Sequence, residues 1–153
     1  MKKDIDDLDL KILRELQNDA SQSLEGIAAK IGSSKTPVWN RIKKMRDAGV
    51  IEHYGVKLSA EMLGLDACFF VLIRTSIHEK SWQDRFLAAL MDRAEVQEAH
   101  RLAGEIDYIL KVRVANAKAY DTFYQSLISE VNIHNVTALL SMEELKATTA
   151  LPI

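Results

Sequence analysis

The chain has 153 residues, with 20 Lys+Arg against 22 Asp+Glu and a formal net charge of −2. That near-balance excludes a wholesale basic DNA coater but not a nucleic-acid binder, because the placement of charge decides that question. Hydrophobic content of 48% with 27% charged residues fits a globular chain of one medium domain or two small ones.

The opening segment, MKKDIDDLDL, is too charged to be the apolar core of a signal peptide. No apolar run approaches the ~20 residues that span a bilayer. An intracellular, cytoplasmic protein with no membrane partner is expected. Residues 1–50 carry apolar positions at helical spacing. Ile5, Leu8, Ile12, Leu13 and Leu16 make the face of a first helix. Leu24, Ile27, Ala28 and Ile31 make a second, with Ser23 as N-cap and Gly32 as its stop. Val38, Ile42 and Met45 make a third, with Ser34 as N-cap, Pro37 in the first turn and Gly49 at the end. Residues 50–58 alternate around a central glycine and predict a short strand or wing.

Residues 59–65 read as a hinge or short helical linker. Beyond them the pattern predicts a strand over 66–77, a helix over 81–92 capped by Ser81, a strand over 96–102 and a tight turn at Gly104-Glu105. A strand over 107–114, a helix over 117–130 and a last strand over 136–146 follow. This strand-helix-strand-strand-helix-strand order is that of a ferredoxin-like sandwich. The expected class is therefore α+β: a winged helix-turn-helix over 1–58, a linker over 59–65, and a ferredoxin-like βαββαβ domain over 66–153. The strand at 66–77 is apolar on both faces, so a second subunit's sheet is expected to cover the face its own helices leave open.

Charge separates along the chain. Residues 1–60 are net +2 and residues 61–153 net −4. Within 26–46 stand six basic residues and no acidic one. The third helix carries most of this stripe, which marks it as a recognition helix. At its start, Ser34, Lys35 and Thr36 offer donors to a phosphate. Asn40 is a candidate base reader, because an amide bonds adenine bidentately. Lys43, Lys44 and Arg46 suit phosphates, and Arg41 lies further round. Trp39 reads equally as a DNA contact or as a core aromatic. The bland reading of a basic helix face is a solvated one. The three-helix pattern, the Pro-bearing start, the following wing and the absence of acid together reverse it.

The single cysteine, Cys68, excludes an intramolecular disulfide and a multi-Cys zinc site, and its apolar neighbours mark it as a small buried side chain. His78, Glu79 and His100 read as surface or structural residues. No metal and no cofactor is expected.

The run from Lys35 to Met45, with Asp47-Ala48-Gly49-Val50-Ile51 after it, resembles the recognition helix and exit of the Lrp/AsnC (feast/famine) transcription regulators. The opening Leu8-Asp9-Leu10-Lys11-Ile12-Leu13 is similar to that family's first helix. Ala103-Gly104-Glu105-Ile106-Asp107-Tyr108 resembles its Gly-x-x-Asp-Tyr segment, and the tail from Met142 to Pro152 also fits. The sequence departs at Ile106, where an aromatic or polar residue is common, and in stopping at Ile153. The resemblance implies a regulator of double-stranded DNA whose second, RAM-type domain oligomerises, as a dimer or dimers of dimers up to an octamer. It also implies a small effector, an amino acid, at the turn over 102–108 and the facing strand at 139–141. The residues so implied are Leu102, Gly104, Glu105, Asp107, Tyr108, Leu139, Leu140 and Ser141. Glu105 or Asp107 is expected on the ammonium, or Asp107 as a carboxylate that caps the turn. The competing readings are a small enzyme or a ligand-binding module without DNA. Against them stands the lack of a nucleophile–base constellation, a phosphate-binding glycine loop or a metal motif.

Overall fold

The computed structural model describes residues 5–76 and 79–153. The end of the expected first strand and His78 therefore lie partly outside the described residues. The chain forms two compact units, Met1–Lys57 with Lys146–Ile153, and Leu58–Leu145.

The first unit holds α1 (Asp7–Asn18), α2 (Leu24–Lys30) and α3 (Lys35–Asp47). Asp6 starts α1. Its carboxylate accepts from the amides of Leu8 and Asp9, both at 2.9 Å, and the Asp9 carboxylate accepts from the Asp6 amide at 3.2 Å. This reciprocal box satisfies donors that the first turn leaves unpaired. Ser23 Oγ caps α2 through the Gly26 amide at 3.0 Å. Gly32 and Gly49 adopt φ of 68° and 69° after α2 and α3, a left-handed exit that glycine allows. Ile12, Ile27, Ala28, Val38, Ile42 and Met45 form the buried core. Residues 50–58 carry no regular secondary structure, so the expected strand does not form. Val50 and Ile51 instead pack on the core.

The tail, Lys146–Ile153, is part of this first unit. Gln17 grips the Leu151 backbone twice. Its Oε1 accepts from the Leu151 amide at 2.6 Å, and its Nε2 donates to the Leu151 carbonyl at 3.2 Å. Arg14 Nε donates to the Ile153 carbonyl at 2.7 Å.

The second unit holds β1 (Ala67–Arg74), α4 (Lys80–Met91), β2 (Val96–Arg101), β3 (Tyr108–Val114), α5 (Ala117–Glu130) and β4 (Asn135–Leu140). The sheet order is β2-β3-β1-β4, every pair antiparallel. α4 begins one residue before the expected helix, with Glu79 rather than Ser81 at its cap. β4 ends at Leu140, short of the expected 146. One face of the sheet buries Phe69, Val71, Ile73, Tyr108, Leu110, Val112 and Val114 with Trp82 and Phe86 of α4 and Phe123 and Leu127 of α5. The Trp82 and Phe86 rings stack with centroids 5.0 Å apart, and Trp82 Nε1 donates to the Asn132 carbonyl at 2.7 Å.

The other face is only partly covered. Register places Phe70 opposite Lys111 and Leu139, Leu72 opposite Ile109 and Thr137, and Cys68 opposite Arg113. Residues paired across strands share a face. Phe70 and Leu139 are 37% and 50% exposed. Cys68 is buried and free. On this face Arg113 Nε is buried without a hydrogen-bond partner among the described residues.

Candidate nucleic-acid interface and effector region

α3 turns Val38, Ile42 and Met45 into the core and its remaining faces outward. Ser34 stands at the N-cap position, but its side chain makes no cap hydrogen bond. Its hydroxyl, and that of the exposed Thr36, therefore stand at the open end of the helix dipole. Asn40 is also exposed.

The six basic residues of 26–46 divide in two. Lys30 pairs with Glu15 at 2.9 Å and Lys35 with Glu25 at 2.5 Å. Arg41 Nη1 donates to Asp6 Oδ2 at 2.6 Å and to Asp9 Oδ1 at 2.9 Å. Arg41 thus joins α3 to the capping box of α1 rather than standing free on the DNA-facing stripe. The guanidinium lowers the pKa of Asp6 and is itself raised, in each case first through the Arg41–Asp6 hydrogen bond. The Lys35 ammonium likewise lowers the pKa of Glu25. Lys43, Lys44 and Arg46 make no ion pair among the described residues. Lys43 Nζ lies 5.5 Å from the Trp39 ring centroid, and Arg46 Cζ lies 5.8 Å from that of Tyr54. Trp39 is 48% exposed, which decides against a core role. Sequence reasoning missed Asp6, Glu25 and Tyr54. The acid at Asp9, three residues after Asp6, is a capping-box signal that could have found the first. The other two contacts come from tertiary packing and leave no local signal.

In the second unit the expected effector residues do not converge. The turn closes through the Leu102 amide, which donates to the Asp107 carbonyl at 2.8 Å. Gly104 has φ of 141°, a region L side chains avoid, although an added Cβ would meet nothing within 4 Å. Glu105 is taken by Arg74, with 2.9 Å between carboxylate and guanidinium and 2.8 Å from Arg74 Nε to the Glu105 carbonyl. Asp107 Oδ2 accepts from the Thr75 amide at 2.8 Å, a backbone bond to the segment after β1 rather than within its own turn. Tyr108 is buried among Trp82 and Phe86 and cannot line an open pocket. Leu139 and Leu140 are consecutive on β4 and point to opposite faces. The Ser141 amide donates to the Cys68 carbonyl at 2.8 Å. Ile73 pairs with Tyr108 and Val136, whereas Phe69 pairs with Leu140. Four residues of strand, about 13 Å, therefore separate the turn from 139–141 within one chain.

The AsnC-type helix-turn-helix domain model matches residues 5–46, and the Lrp/AsnC ligand-binding domain model matches residues 68–151. The glutamate uptake regulatory protein of Zymomonas mobilis is 42% identical over 149 residues, covering 97% of this chain and 91% of its own length. A crystal structure of an AsnC-family transcriptional regulator from Agrobacterium tumefaciens superposes with a TM-score of 0.93 at 40% identity, covering 96% of each chain. A transcriptional regulator of Neisseria meningitidis in complex with L-methionine superposes with a TM-score of 0.91 at 28% identity, also covering 96% of each.

Proposed function

The chain belongs to the Lrp/AsnC family of transcription regulators, and from that premise we propose that α3 reads double-stranded DNA while the βαββαβ unit takes an amino acid and pairs with a second copy. The observation that carries the DNA reading is the exposed cation set Lys43, Lys44 and Arg46, without an ion pair among the described residues, on a helix whose opposite face is core. These three suit phosphates, and Asn40 suits a base edge. Ser34 and Thr36 suit a phosphate at the helix start. Lys35 reaches one by leaving Glu25, an exposed and solvent-screened pair that holds it weakly. Arg41, held by two carboxylates, is a positioning residue.

An amino-acid effector is supported by the L-methionine bound to the Neisseria neighbour. Because the turn over 102–108 and the strand at 139–141 stand apart in one chain, a second copy completes the pocket on this reading. The backbone around Gly104 would meet the ligand's charged ends, and Leu102 and Leu139 its side chain. The partly exposed apolar pair Phe70 and Leu139 on the sheet face away from the helices supports at least a dimer. The reading is non-catalytic, in keeping with relatives named as regulators. It places the protein where the DNA is, the cytoplasm in bacteria such as those of these relatives.

Fluorescence anisotropy at several salt concentrations tests it, with a duplex selected by the protein from a random pool and an unselected duplex. Lys43→Ala should weaken both alike and flatten the salt slope by about 0.9 per lost phosphate contact. Asn40→Ala should cost about 1–3 kcal/mol on the selected duplex alone. Equal affinity of the unaltered protein for both duplexes would sink sequence-specific regulation.

A further inference from the structure

Beside α3 lies a cleft of about 500 Å³ between the end of α1, the start of α2, α3 and the segment after it. Trp39 and Tyr54 line it with the two cations that sit over their rings, Lys43 and Arg46, and with one acid, Asp47. Tyr54 is 46% exposed. Both rings are thus half open on the same concavity, and both cations lack a carboxylate partner among the described residues.

The cleft occupies a flank of the helix, not its outermost line. At 100° per residue, Val38, Ile42 and Met45 define the buried side. Thr36 and Asn40 point nearly opposite, and Trp39 and Arg46 stand about a quarter turn from the core. An α-helix with side chains is about 10–12 Å across, and the major groove is about 12 Å wide. A helix seated there with Asn40 toward the bases has its flanks against the two sugar-phosphate walls. The concavity then faces a backbone, with cations for the phosphate and apolar ring faces for the deoxyribose.

We propose that this cleft is a backbone seat for one DNA strand, and that Tyr54, outside the helix-turn-helix, is a DNA-contact residue that holds Arg46 over the phosphate. The proposal rests on the DNA-binding reading above and adds residues and a role to it. Contact is with backbone, so it carries affinity without sequence information. Asp47, a like charge in the same cleft, opposes it.

The full chain is titrated with the selected and unselected duplexes. Tyr54→Ala should weaken both by about the same factor, on the order of fivefold, the scale of one exposed cation–π contact. Tyr54→Ala that binds both duplexes as tightly as the unaltered protein overturns the proposal, as does a loss confined to the selected duplex. Arg46→Gln should flatten the salt slope by about 0.9 per recognition helix engaged, and an unchanged slope counts against the seat. Lys118→Gln, the same charge removed from the exposed start of α5, should change neither duplex; a loss matching that of Arg46→Gln would mean that only net charge matters. Asp47→Asn should tighten binding to both, and weaker binding would contradict the stated opposition. A readout without substitution uses tryptophan fluorescence. Of the two tryptophans, Trp39 is 48% exposed and Trp82 is 2% exposed, so acrylamide quenching reports on Trp39. Quenching should fall on adding unselected duplex, and quenching unaltered by saturating duplex rejects the seat. If the unaltered protein binds neither duplex, the DNA-binding reading itself falls and takes the seat with it; binding with Tyr54 and Trp39 indifferent defeats the seat alone.

Discussion

Arg41 joins two helices through one guanidinium. It reaches from α3 to both carboxylates of the α1 capping box, so a residue expected on DNA ties α3 to the start of α1. The lowered pKa of Asp6 gives this link a pH signature. A group whose folded pKa lies below its unfolded value contributes stability that is present above the unfolded pKa. That contribution is lost as pH falls through the folded value. Thermal melts of the full chain should therefore show the gap between the unaltered protein and Asp6→Asn widest near neutrality. The gap should close as pH drops below about 4, the ordinary aspartate value, because asparagine still caps but cannot titrate. A gap independent of pH would show that the Arg41 pairing contributes nothing to folding. At this scale the sequence carried the charge stripe but not its division. Lys35 and Arg41 look like Lys43 and Arg46 in a linear chain, and only packing brings Glu25 and Asp6 to the first two.

The elements themselves were largely legible, because their causes are local. α5 over 117–130 and the stops at Gly32 and Gly49 follow from periodicity and from glycine at left-handed positions. Three features were not. Residues 50–58 alternate like a strand, yet none of the described strands pairs with them, and alternation alone does not make a sheet. β4 stops at Leu140 although the pattern continues. The tail is fastened by the side chains of Gln17 and Arg14 to its backbone, and backbone contacts of that kind leave no trace in residue type. The turn before β3 offers a clean test of local strain. Gly104→Ala meets no atom, so its cost is conformational, about 1–3 kcal/mol for a backbone at φ of 141°. Urea denaturation should show that loss, and an unchanged midpoint would mean the turn relaxes to another conformation.

At the scale of the molecule, the two units divide the charge between them, and the second leaves a sheet face partly uncovered. Phe70 and Leu139 face each other there, half exposed in one chain. If that face pairs with its counterpart in a second copy, Leu139→Glu buries two uncompensated charges at the join. Size-exclusion chromatography with light scattering should show the unaltered protein as at least a dimer and the variant as a monomer. Its far-UV circular dichroism should be retained, since Leu139 lies outside the core. A variant that stays dimeric would place the interface elsewhere. The same assembly bears on the effector, because the two halves of the expected pocket stand about 13 Å apart in a single chain.

The net charge of −2 was an average over two different surfaces, and the sequence alone resolved it: six cations and no acid in 26–46, with the acidic excess in the other unit. Helix periodicity, glycine stops and the succession of strands and helices along the chain were equally its own, since each depends on neighbours within a few residues. Tertiary structure decided which cations lack an ion pair among the described residues, that Trp39 is open, that Asp107 bonds the Thr75 amide, and that the tail belongs to the first unit. Those outcomes depend on pairings between residues up to 139 positions apart, and linear spacing does not encode which distant carboxylate or carbonyl a side chain meets.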